Sequence, residues 1–105
     1  MRLIPKGLRL ELENEPFMKK CIWCETTLNI EWNHALIYSG RQVNKWYAIV
    51  PLCTEHHRGN NGTTFAEIKD YCEWIAIQRG MFELDQDCPK FNWRQRLEYL
   101  NSLFL

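Results

Sequence analysis

About halfway along the chain the apolar positions change from strand-like runs to a helical period. Near the N-terminus "LRLEL" (8–12) alternates apolar and charged residues, which predicts a short strand. "LNIEWNHALIY" (28–38) and "VNKWYAIVPL" (43–52) are rich in aliphatic and aromatic residues and read as two strands of a hairpin joined through "SGRQ". Pro51 sits near the end of the second strand, where a missing N–H is tolerated. After the breaker "RGNNG" (58–62), Phe65, Ile68, Cys72, Ile75 and Ala76 fall on one helical stripe. Thr64 and Glu67 have capping-box spacing ahead of that stripe, and Gly80 can end the helix. Beyond the acidic loop "ELDQDCP" a second helix starts near Asn92, with Trp93, Leu97, Leu100 and Phe104 on its apolar side. The expectation is an α+β chain: a hairpin, then helices over about 64–79 and 92–104.

With 105 residues the chain fits one domain with a modest core. Such a chain buries only about 60–65% of its unfolded surface, so a staple helps it. The five tryptophans are expected in that core, Trp23, Trp32 and Trp46 included. No apolar run is long enough to cross a bilayer. "MRLIPKGLRLELENEP" lacks the apolar core of a signal peptide, and a cytoplasmic location with reduced thiols is expected. The 13 basic and 13 acidic residues cancel, which argues against binding nucleic acid by bulk charge. Residues 17–60 come out near +2 and residues 61–105 near −2, so an anionic substrate suits the middle better.

An odd number of cysteines in a reducing compartment points to metal rather than a disulfide framework. Cys21-Ile-Trp-Cys24 is a C-x₂-C knuckle, and Cys53-Thr-Glu-His56 repeats its spacing with histidine last. Cys21, Cys24, Cys53 and His56 then make the Cys₃His set that structural zinc uses. Ordinary thiols are the alternative, and the adjacent His57 is the rival fourth ligand. In a helix starting here, His57 would turn about 100° away from His56, so one ion cannot easily use both. Cys72 reads as a helix-face packing residue and Cys88 as a loop thiol.

The stretch from the first knuckle through "EWNHAL" to "WYAIVPLCTEHHRGNN" resembles the HNH family of nucleases over residues 21 to about 61. That resemblance implies a ββα-metal core, a hairpin followed by a helix, stapled here by Zn²⁺. It implies His34 as the general base that activates water. It implies His57, with Asn33 or Asn61, as ligands of Mg²⁺ or another catalytic divalent ion. The family's middle asparagine falls at Ala48, with Asn44 and Asn61 as nearby substitutes, and Glu31 is either a source of missing charge or a solvated strand residue. Arg41, Lys45 and Arg58 flank the hairpin loop and His57 and are candidate phosphate contacts. The function implied is metal-dependent cleavage of DNA by a small protein of the kind phages carry, at work in the host cytoplasm. Two other readings stay open. One is a zinc-stabilised nucleic-acid-binding module without cleavage. The other is a zinc-scaffold interaction module whose "LEYLNSLFL" tail makes a homodimer or meets another partner.

Overall fold

The computed structural model describes residues 4–58 and 62–105, with the side chains of residues 62–65 outside that description. Among these residues the chain is α+β, with five α-helices and two small antiparallel sheets of two strands each. Helix α1 (Lys6–Leu12) is followed by a 3₁₀ turn, Pro16–Lys19, and then by the knuckle. Strands β1 (Ile30–His34), β2 (Ile37–Tyr38), β3 (Arg41–Gln42) and β4 (Ile49–Cys53) form the hairpin. Helices α2 (Thr54–Arg58), α3 (Gly62–Gly80), α4 (Leu84–Asp87) and α5 (Trp93–Phe104) complete the order. Among the described residues no helix is long and apolar enough to cross a membrane.

The segment expected as an N-terminal strand is helical. Arg, Leu and Glu are strong helix formers, and the helix directs Leu12 into full burial against Ile4, Met18 and Ile49. Its charges then face solvent without needing a sheet partner.

The hairpin is less regular than its residues suggest. β1 pairs with β4 from Ile30 opposite Cys53 to His34 opposite Ile49, and Ala35 N–H continues the ladder to Ala48 C=O at 2.7 Å. Val43 N–H then donates to Leu36 C=O at 3.0 Å, so Asn44 to Tyr47 bulge out of the second arm. The expected strand over 43–52 is therefore broken: Trp46–Ala48 form a 3₁₀ turn and only Ile49–Cys53 is strand. Burial drives the break. Tyr47 is driven fully into the core, and its hydroxyl donates to Asp87 at 2.9 Å. Pro51 is accommodated, its carbonyl accepting from Ile22 N–H at 3.1 Å and tying the knuckle to the sheet.

Helix α3 carries Ile68, Cys72, Ala76 and Ile77 in the core, while Ile75 is half-buried. Gly80 is its last residue because a methyl there would run into the Tyr47 ring. The capping pair at Thr64 falls outside the described side chains. The acidic loop contains the short helix α4, and Cys88 lies in the loop after it, as expected, but buried against Tyr47 and Leu84. Asn92 caps α5 by accepting from Gln95 N–H at 3.2 Å. That helix packs on α3 through Trp93, Leu97, Leu100 and Phe104, with Phe104 against Tyr71 and Trp74. Trp93 is buried, whereas Trp23, Trp32, Trp46 and Trp74 are each partly exposed.

Candidate metal centre and adjoining cavity

The knuckle turns on a left-handed residue, Glu25 at φ 63°, whose N–H closes onto Cys21 C=O at 2.9 Å. Cys53 ends β4 and His56 lies one helical turn later on α2. Ligand atoms of Cys21, Cys24, Cys53 and His56 all fall within 4.8 Å of one another. Cys24 Sγ to Cys53 Sγ is 3.8 Å, Cys21 Sγ to His56 Nδ1 is 3.8 Å, and Cys53 Sγ to His56 Nδ1 is 3.1 Å. The edges of a tetrahedron of zinc–thiolate and zinc–imidazole bonds are roughly 3.5–3.8 Å, so the set can hold an ion such as zinc. Three soft sulfurs and one imidazole also match zinc by ligand type.

Electrostatics prepare one of the thiols. Burial pushes Cys21 up, but N–H groups of Cys24, Cys53 and Trp23 and the His56 ring outweigh it, bringing it down to about 7. Cys53 stays raised by burial and by the neighbouring sulfurs, so a metal must displace its proton.

His57, next on the same helix, points elsewhere. Its Nδ1 lies 2.7 Å from Glu31 Oε1, and Glu31 also accepts from Thr54 Oγ1 at 3.0 Å and Arg58 at 3.0 Å. Arg58, then His57, holds the Glu31 carboxyl down at about 2. A carboxylate can only accept, so Nδ1 is the nitrogen that donates to it, and Nε2 is the ring nitrogen turned away from Glu31. Glu31 is thus the acceptor that orients His57, the role carboxylates play behind metal-binding histidines.

His34 ends β1, and its Nε2 is 2.8 Å from Asn44 Oδ1. The amide oxygen accepts, so Nε2 is the nitrogen that donates, and Nδ1 is the one outside this bond. Asn44 reaches His34 because the bulge folds back over the strand end. Asn33, His34 and His57 line one cavity of about 280 Å³, together with Lys69 and Cys72 of α3. The Asn33 side chain hydrogen-bonds the Cys72 thiol, but burial is the larger effect and pushes that thiol up to about 12.

The other expected site residues are dispersed. Asn61 lies outside the described residues. Arg58 is committed to Glu31, and Lys45 lies 3.8 Å from Asp87. Arg41 is exposed at the hairpin tip and makes no ion pair among the described residues. Lys69 was not singled out from sequence, because its position on the long helix gives no local sign that it reaches the cavity. The apolar tail is split: Leu100 is buried, while Leu103 and Leu105 are exposed.

No family model matches the chain, and neither curated proteins nor solved structures give a match.

Proposed function

We propose that the chain is a metal-dependent endonuclease of the HNH type that hydrolyses phosphodiester bonds in DNA. Its core on this reading is the ββα-metal unit formed by β1, β4 and the start of the following helices. Cys21, Cys24, Cys53 and His56 hold a structural zinc that does no chemistry. The observation that carries the reading is that Asn33, His34 and His57 line one cavity, each histidine with one ring nitrogen outside its hydrogen bond to Asn44 or Glu31.

His34 Nδ1 takes the proton from the attacking water, with its ring held by Asn44. Asn44 does the orienting work that the family's middle asparagine implies, reaching the base through the bulge rather than from position 48. His57 Nε2 and the Asn33 side-chain oxygen are the groups to hold a divalent ion, with water filling the remaining positions. Such an ion, when bound, supplies charge stabilisation to the phosphate and to the leaving oxygen. Glu31 fixes His57 and leaves Nε2 directed away from itself. Arg41 and Lys45 attract the flanking phosphates.

Supercoiled plasmid incubated with Mg²⁺ or Mn²⁺ is expected to be nicked by the native chain. His34→Ala should abolish nicking while leaving the fold intact. Nicking undiminished in His34→Ala would overturn the assignment.

One observation favours a second reading, a zinc-stabilised DNA-binding module without cleavage. Asn33 is a neutral ligand, and Lys69 brings a cation into the same cavity. On that reading binding weakens with salt and no cutting appears with any divalent ion.

A further inference from the structure

Next to the His34–Asn44 pair lies a second hollow of about 570 Å³, lined by residues of the hairpin tip and the end of α4. The two spaces share Gln42, and Asn44 lines the second while bonding the histidine of the first. Its surfaces are of three kinds. Val43 and Cys88, both buried, contribute apolar surface. Tyr38 contributes an aromatic surface, pinned where its hydroxyl accepts from Lys90 N–H at 3.0 Å. Arg41 and Lys45 supply positive charge, and Asp87 adds one carboxylate acceptor.

We propose that this hollow is a nucleotide subsite that takes one unpaired base beside the scissile phosphate. The inference rests on the nuclease reading for what happens next door, but its own evidence is the make-up of the hollow. A nucleobase has flat apolar faces and a polar edge, and its phosphates are anionic. Apolar surface, a ring and the exposed Arg41 match those features in turn, beside a Lys45–Asp87 pair whose carboxylate also accepts from Tyr47. The volume lies within the range of small-ligand sites. A base inside a duplex has both faces covered by its neighbours and cannot lay one on Tyr38, so the strand must be single or locally opened. Stacking on an aromatic ring beside positive charge is the general mode by which single strands are held. The substrate class is therefore single-stranded or locally opened DNA, such as an underwound supercoiled plasmid offers, rather than relaxed duplex.

The test reads binding apart from cleavage. Fluorescein-labelled single-stranded DNA is titrated with His34→Ala protein and followed by anisotropy, with one abasic residue moved stepwise along the strand. One abasic position should weaken binding about tenfold, and the fully paired duplex should bind correspondingly less well. Tyr38→Ala should erase that positional effect and Tyr38→Phe should keep it, each with native zinc content and native far-UV circular dichroism at the assay temperature. Equal affinity for every abasic position, or equal affinity for duplex, overturns the subsite even if the native chain nicks plasmid. A positional effect in a chain that never cuts keeps the subsite and removes the nuclease reading instead.

Discussion

Glu31 has two oxygens and three partners, and the order of its attachments explains why it is held so low. Arg58 and then His57 hydrogen-bond it most strongly, burial opposes them, and the Thr54 hydroxyl adds less than burial takes away. Glu31→Gln keeps the shape of the side chain and removes the charge. We expect native zinc content and a stability change under about 1 kcal/mol, since the group is near the surface. Nicking at fixed Mg²⁺ should fall roughly 10–100-fold, the usual effect of losing a partner that orients a metal-binding histidine. A titration of plasmid nicking against Mg²⁺ checks this, and unchanged nicking removes Glu31 from the site. The sequence allowed Glu31 either a functional or a solvated role, because a strand gives only its facing. What decides is the cross-strand register, Glu31 opposite Leu52, which brings it beside the first turn of α2.

At the scale of elements, the bulge from Asn44 to Tyr47 and the end of α3 depend on each other. Tyr47 fills the space that Gly80 leaves, so Gly80→Ala should cost about 1–3 kcal/mol, read as a lower midpoint in urea. The joint between α4 and α5 is electrostatic at its surface. Asp85 accepts from Arg94 at 2.9 Å and from Trp93 Nε1 at 2.9 Å, and Arg94 is the main cause of its lowered carboxyl. A folded value below the unfolded one means the contribution is present above the usual 3.8 and is lost as pH falls through the lower folded value. Carboxyl NMR should therefore show Asp85 titrating below 3.8 in the folded chain. Both C-terminal helices were legible, since their apolar stripes keep helical spacing over three or more turns. The hairpin interior was not. Aromatic-rich "VNKWYAIV" looks like strand throughout, and only burial of Tyr47 beneath α3 and α4 turns it into a 3₁₀ turn. The helix at Lys6–Leu12 was missed for a related reason, since five alternating residues fit either period until Leu12 finds its pocket.

For the molecule as a whole, the three clusters of buried residues meet around the hairpin, and the middle one includes Cys21 and Cys53. Removing a metal from that set leaves sulfurs and an imidazole crowded within 4.8 Å at the edge of a core. Metal analysis should find about one zinc per chain, and stripping it with a chelator should unfold the chain cooperatively by far-UV circular dichroism. Cys21→Ser should behave like the stripped chain. A chain that keeps its full helical signal without metal would reduce the cluster to ordinary thiols. This part of the site was the most legible, because a ligand spacing of two intervening residues is local. The cavity was legible only in part. His34 and His57 stand out as residues, but Lys69 reaches the cavity from a distant helix, and Asn44 reaches the His34 ring only through the bulge.

Helix α2 assigns two neighbouring histidines to different work, and this has a genetic consequence. Loss of a single codon for Thr54 or Glu55 would bring His57 to the third place after Cys53, the spacing His56 now holds. The zinc set would be complete again and the fold kept, but the position facing the cavity would pass to Arg58. On the nuclease reading, one in-frame deletion would then separate stability from activity, giving descendants of this chain a short route to an inert, well-folded relative.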